Sequence, residues 1–228
     1  MALGAAVSSS SACGTSSRKG PGDLRAAIKG QVLLPGDAEF LAACQPWNTA
    51  VTQRARALAV IADAEDAAAL VHYVRDAGLT ISVQPNGHGA TDDLSGVVLV
   101  RTGRLDELRI DPVARTARVG AGVRWGQVLA ATAPHKLIGL AGSSPDVNVT
   151  GFTLGGGISW FGRKYGWAAD SVIAFDVVDA EGRMNRVTAQ SDPDLFWAIR
   201  GGGGDFALVT AIEFKLYPAP SLFGGQMF

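Results

Sequence analysis

The distribution of glycine constrains this chain more than any other feature. Of 29 glycines in 228 residues, twenty fall between positions 87 and 204. They have no period and sit among apolar segments, which excludes a collagen-like or low-complexity chain. Glycine lets backbone approach a neighbour closely and lets successive N–H groups converge on one point. So many in one region imply a large, phosphate-bearing ligand.

The rest of the composition narrows the field. A hydrophobic share of 47 % and a charged share of 18 % describe a globular protein rather than a disordered one. The length suits one or two domains with a proper core. A net charge of −1 gives no electrostatic footprint for nucleic acid or an acidic membrane. No apolar run reaches the length of a spanning helix. Two cysteines, Cys13 and Cys44, make neither a disulfide framework nor a four-thiolate site. His72, His88 and His135 are scattered without a helical ligand pair, so no metal is expected. Residues 1–14 loosely resemble an export signal, yet lack a basic start and a long enough apolar core. A disordered tail is the plainer reading of residues 1–22, and cytoplasmic and exported locations both stay open.

Along the chain, ALAVIA (57–62) reads as a strand, and Asp63 caps a helix with apolar positions Ala67, Leu70, Val71, Val74 and Ala77. Gly78 stops it, and strands TISVQ (80–84) and GVVLVR (96–101) follow. LDELRID (105–111) and ARTARVG form a hairpin around Asp111-Pro112, and Trp125 to Thr132 is helical. Residues 139–167 show no persistent period and hold seven glycines within 139–162, so they read as a long functional loop. A second hairpin spans 171–189 with Glu181-Gly182 at its turn, and a helix opens at Asp192-Pro193. Leu208, Thr210, Ile212, Phe214 and Leu216 alternate along one face of a closing strand. The fold class is α+β.

Gly120-Ala121-Gly122-Val123-Arg124-Trp125-Gly126 nearly spells a dinucleotide fingerprint, but its third glycine is one place late. No acidic residue about 20 positions on would hold a ribose, so a tight strand-to-helix turn explains it better. Neither a GxxxxGK[ST] loop nor a GxSxG elbow is present, which removes support for nucleotide hydrolysis and serine esterase chemistry. More informative is Gln84-Pro85-Asn86-Gly87-His88-Gly89-Ala90-Thr91-Asp92, a loop after a buried strand with glycine on both sides of a histidine. Flanking glycines free the amides to curl round a pyrophosphate and leave the imidazole little to pack against. A lone histidine is usually structural, and spacing alone leaves both roles open.

Taken in order, four segments carry a resemblance. They are the Gly-His loop after a strand–helix–strand start, GAGVRWGQV, AGSSPDVNVTGFTLGGGISWFGRKYGWAAD and DLFWAIRGGGGDFALVTAIEFKLYP. Together they resemble the FAD-binding domain of the vanillyl-alcohol oxidase and p-cresol methylhydroxylase (PCMH) type, and within it the berberine-bridge-enzyme-like oxidoreductases. The match covers roughly 49–218, leaving 1–48 as a tail and lead-in and 219–228 as the start of a substrate domain.

The resemblance implies two α/β subdomains with FAD extended between them. It places Asn86, Gly87, His88, Gly89, Ala90 and Thr91 at the pyrophosphate, and makes His88 the covalent anchor to the flavin 8α carbon. A neutral imidazole nitrogen is a competent nucleophile for that role. Segment 142–157, with Gly142, Ser143, Val147, Gly151, Gly156 and Gly157, would wrap the flavin and ribityl side, and Val209 would lie near the adenine. Where some relatives have a second anchoring cysteine, this chain has Ser144, so one link is expected. The implied activity is hydride transfer from an alcohol-type or other activated C–H of a small molecule to flavin, with O₂ as acceptor. The catalytic base belongs to the substrate domain, so no catalytic residue is expected within this chain. The alternative is a flavin-binding module without turnover of its own.

Overall fold

The computed structural model describes residues 23–92 and 94–223. The export-signal reading of residues 1–14 lies outside them. In the first subdomain, α1 (Leu24–Ala27), β1 (Gln31–Leu33) and α2 (Phe40–Cys44) precede β2 (Ala57–Val60), α3 (Ala64–Ala77), β3 (Thr80–Val83) and β4 (Val97–Arg101). The sheet order is β1-β2-β4-β3, with β2, β4 and β3 parallel and β1 antiparallel at one edge. Ala57, Ala59, Val98 and Val100 pack with α3, while Leu58 and Leu99 join Phe40 and Cys44 of α2 in a smaller core. Parallel strands covered on both faces need such continuous apolar runs. The segment read as a lead-in thus supplies a strand and two helices.

Helix α3 has the ends its sequence predicts. Asp63 accepts a hydrogen bond from the Asp66 N–H at 2.8 Å, and Gly78 closes the helix at φ 64°. Asp66 itself is 1 % exposed, and its carboxylate accepts from the backbone N–H groups of Lys29, Gly30 and Ala62 at 2.7, 2.8 and 2.9 Å. One buried carboxylate therefore joins the α1–β1 turn to the entry of α3.

The second subdomain holds β5 (Leu108–Asp111), β6 (Thr116–Gly120), α4 (Trp125–Thr132), β7 (Leu137–Ile138), α5 (Val149–Leu154) and α6 (Gly162–Tyr165). It continues through β8 (Val172–Val178), β9 (Met184–Val187), α7 (Pro193–Gly202), β10 (Leu208–Lys215) and β11 (Tyr217–Pro218). Five strands form an antiparallel sheet in the order β5-β6-β10-β8-β9, and β7 pairs with β11. Trp125, Phe175, Phe196, Ile199 and Phe214 fill the core between this sheet and α4, α5 and α7. The result is the expected α+β arrangement of two subdomains.

Two local expectations need correction. The stretch 139–167 contains α5, because Asn148 caps it by accepting from the Gly151 N–H at 2.9 Å, and it contains the single turn α6. Both helices are too short for a period to show. The even-numbered alternation of the closing strand also fails at its start. Val209 and Ala211 oppose Val177 and Asp176, so Thr210 is an extra residue and β10 bulges there. Leu208 consequently faces the first subdomain's core, whereas Val209, Ile212 and Phe214 face the second.

Replacing Asp66 by alanine would leave three partly buried backbone N–H groups without this acceptor. We expect a loss of stability of about 3 kcal/mol, read as a lowered urea midpoint with an unchanged slope.

Candidate functional site

The loop after β3 is built by its neighbours rather than by its own sequence. Gln84 is buried and exchanges side-chain hydrogen bonds with Gln53 at 2.8 and 2.9 Å, and Gln53 also donates to the Thr91 carbonyl at 2.7 Å. The two glutamines pin both ends of the loop. Gly87 has φ 79°, and a Cβ there would sit 2.6 Å from the Pro46 Cβ, so no larger residue fits. The chain running past it is hydrogen-bonded to the loop, with the Trp47 N–H donating to the Asn86 carbonyl at 2.8 Å.

Arg101, at the end of β4, secures that passing segment. Its guanidinium donates to the carbonyls of Gln84, Ala43, Cys44 and Gln45 at 3.0 to 3.2 Å. The last three are the free carbonyls at the end of α2, where a cation is favoured.

His88 lies between these supports. Its ring stacks on Trp47 with centroids 4.0 Å apart and planes 13° from parallel. Nδ1 lies 3.2 Å from Asn86 Oδ1, and Asn86 Nδ2 donates to the Asp146 carbonyl of the second subdomain at 2.6 Å. Nε2 is buried and has no hydrogen-bond partner. Burial pushes the imidazole below its usual titration near 6.5, Asp146 opposes that shift and Arg124 reinforces it. At neutral pH the ring is therefore uncharged, with one nitrogen unengaged.

A cleft of about 470 Å³ runs along this loop, lined by Ser82, Val83, Asn86 to Gly89 and Thr91 on one side. Val147, Asn148, Gly151 and Phe152 line the other. Asn148 holds that second wall, since its amide donates to the carbonyls of Ala121 and Val123 at 2.8 and 3.0 Å while capping α5. The glycines of the near-fingerprint serve packing. A Cβ at Gly120 or Gly122 would lie 2.2 Å from the Leu105 carbonyl oxygen or 2.4 Å from that of Thr102.

The structure thus gathers Asn86, Gly87, His88, Gly89, Thr91, Val147 and Gly151 around one cleft. Ala90 lines an adjoining hollow with Thr91. Gly142 and Gly157 pack against the Phe152 ring that forms part of the wall, and Gly156 packs against Trp167. Val209 is buried in the second core. Ser143 is exposed and directly follows Gly142. Sequence reasoning missed Trp47, Gln53, Arg101, Asn148 and Phe152. Among the described residues lining the cleft, His88 is the one ionisable side chain. Among the described residues no helix is long and apolar enough to cross a membrane, and no group of three metal-ligating side chains occurs.

Residues 55–188 match a family model described as an FAD binding domain. The chain is 34 % identical over 197 residues to (R)-6-hydroxynicotine oxidase of Paenarthrobacter nicotinovorans, a match covering 85 % of this chain and 43 % of that protein. Against the FAD-dependent monooxygenase prx3 of Penicillium roqueforti it is 33 % identical, covering 85 % and 39 %. Among solved structures, BBE-like 1 of Physcomitrella patens superposes with a TM-score of 0.81 at 28 % identity, over 87 % of this chain and 44 % of that one. Glucooligosaccharide oxidase of Acremonium strictum, whose FAD carries cysteinyl and histidyl attachments, gives 0.79 at 29 % identity over 89 % and 43 %. The chain spans less than half the length of these relatives.

The depressed titration of His88 has a consequence for stability. Between its folded-state value and about 6.5 the unfolded chain binds more protons, so stability rises with pH across that window and falls as pH drops through it. Urea denaturation at pH values spanning the window should show this slope in the parent. It should be reduced in His88→Asn.

Proposed function

Because the chain belongs to the FAD binding domain family, we propose that it holds FAD covalently through a ring nitrogen of His88 and forms the cofactor-binding half of an oxidoreductase. The observation that carries this reading is the His88 imidazole itself. It is uncharged, held flat against Trp47, and has one buried nitrogen with no partner. An unsatisfied buried polar atom is costly unless a ligand completes it. A neutral imidazole also retains the lone pair a nucleophile needs.

The backbone N–H groups of residues 86–91 would hold the pyrophosphate, with Gly89 leaving open space beside the loop. The wall carrying Val147 and Gly151, and the turn carrying Gly142, Ser143, Gly156 and Gly157, would flank the flavin. Val209 would border the adenine end. Ser144 offers a hydroxyl that accepts from the Asp146 N–H at 3.3 Å. It has no thiol, so attachment would run through His88 alone.

Bound FAD would supply hydride acceptance from an alcohol-type or other activated C–H of a small molecule, with O₂ as the final acceptor. This chain's residues orient the cofactor and exclude water from one side of it. They bring no base to the reacting bond, because the one ionisable group among the described residues of the cleft is His88, the proposed attachment residue. A positioned base contributes about 10²–10⁴-fold. The second reading is a flavin-binding module without turnover of its own, favoured because, among the described residues of the cleft, His88 is the one ionisable side chain.

Acid precipitation of the 228-residue chain saturated with FAD should leave a yellow pellet, and His88→Ala should leave a colourless one. A coloured His88→Ala pellet would overturn the assignment. Steady-state oxidation of sugars or alcohols by this chain should stay well below about 1 s⁻¹, the low end of ordinary turnover. Faster turnover would place a base within these residues.

A further inference from the structure

His88 is carried by a loop whose own neighbours give the ring no walls. Gly87 holds a positive φ of 79°, and a Cβ built on Gly89 would meet nothing within 4 Å. The face of the ring rests instead on Trp47, with centroids 4.0 Å apart and planes 13° from parallel. That indole is 57 % exposed and lies outside the apolar cores, so burial does not account for its place. Its backbone is fixed to the loop it covers. The N–H groups of Trp47 and Asn48 donate to the carbonyls of Asn86 and Gly87 at 2.8 and 3.4 Å, and Pro46 fills the space beside Gly87. Arg101 ties the two segments together through the carbonyls of Gln84, Ala43, Cys44 and Gln45.

We propose that Trp47 is a positioning residue that sets the plane of the His88 imidazole, and that segment 46–48, clamped by Arg101, is the strap through which the fold aims a glycine-flanked histidine at its cofactor. The aim rests on the proposed attachment of FAD to His88; the holding of the ring does not. The lone pair of an imidazole nitrogen lies in the ring plane, so fixing the plane fixes the direction of attack. A half-turn of the ring about its Cβ–Cγ bond exchanges the two edges and leaves the plane unchanged. The stack therefore serves attachment through either nitrogen. In that step an N–C bond forms to the flavin 8α carbon and one C–H bond of its methyl group breaks. The electron pair of that C–H bond passes to the flavin with two protons, one from the methyl group and one from the imidazole N–H, and O₂ reoxidises the reduced flavin. A ring free to tilt would slow this step without weakening FAD binding, since displacing a reacting group by about 1 Å can cost about 10²-fold.

The test compares the parent 228-residue chain with Trp47→Phe, which keeps an aromatic face, and Trp47→Leu, which does not. FAD is added and acid-stable flavin is followed with time. Trp47→Leu should attach FAD more slowly by at least about tenfold, and Trp47→Phe should recover most of the rate. Affinity for FAD, measured in a His88→Asn background where no bond can form, should be the same with and without Trp47→Leu. An unchanged rate in Trp47→Leu, a matching loss of affinity, or no recovery in Trp47→Phe would overturn the proposal. The stack also has a signature that needs no cofactor. The ring current of the indole should move the His88 Cδ2 and Cε1 proton resonances upfield in the parent, and Trp47→Leu should release them; unshifted resonances in the parent would equally overturn it. Should the parent retain no acid-stable flavin while these resonances behave as stated, the attachment reading fails and the holding of the ring stands. Matching thermal unfolding of parent and variants, expected for a side chain this exposed, separates these readouts from a general loss of structure.

Discussion

One bulged strand, packed into the cores of both subdomains, sets their spacing without any ligand. The extra residue at Thr210 turns Leu208 out of the second subdomain's face and into the core of the first, where Val178 joins it. Val209, the next residue, remains in the second core. The strand is therefore anchored on both sides of the crevice, and the Thr210 hydroxyl secures the bulge by donating to the Asp176 carbonyl at 3.1 Å. At the next turn of chain, His72 of α3 lies against Gly182 in the β8–β9 hairpin, adding a second point of contact. A crevice framed in this way is preformed, which reduces the ordering that ligand binding must otherwise bring about.

The site follows the same logic at smaller scale. Each polar group that shapes the loop is satisfied: Gln84 by Gln53, Arg101 by four carbonyls, Asn148 by two carbonyls and an amide. The exception in the loop is one nitrogen of His88; Trp125 Nε1 and Thr150 Oγ1, on α4 and α5 of the second subdomain, are likewise buried without a partner. A supported shell of this kind would hold the ring within the tolerance that the proposed attachment requires. The rigid surroundings make that exception affordable, since they rather than His88 carry the local stability.

Much of this was legible in the sequence where the signal was local. Asp63 and Gly78 bound α3 as read, Asp192-Pro193 opens α7, and the Glu181-Gly182 turn lies between β8 and β9. Flanking glycines drew attention to His88, but the expected imidazole with little to pack against is not what the fold provides, since the ring stacks on Trp47 and its Nε2 is buried. What escaped was contact made across sequence. Trp47 lies 41 positions before His88, Gln53 lies 31 before Gln84, and Arg101 reaches back to α2. No spacing rule connects such pairs. The bulge escaped for another reason: one inserted residue reverses which face every preceding side chain occupies, while the apolar pattern around it looks unbroken.

The partners of Arg101 differ in kind from those of Arg118 and Arg186. On the open face of the second sheet, Arg118 joins Glu107 and Asp176, and Arg186 joins Asp176 and Glu213, in a partly exposed chain of formal charges. Dissolved ions screen such a chain within about 10 Å at 0.1 M. Arg101 instead meets neutral carbonyl oxygens, and its bonds are short-range dipolar contacts in a partly buried setting. Brine and dilute buffer should thus act unequally on these two sets of contacts. The ion-pair chain on the outer sheet surface responds to ionic strength, and the carbonyl contacts by which Arg101 secures the segment beside the His88 loop are insulated from it.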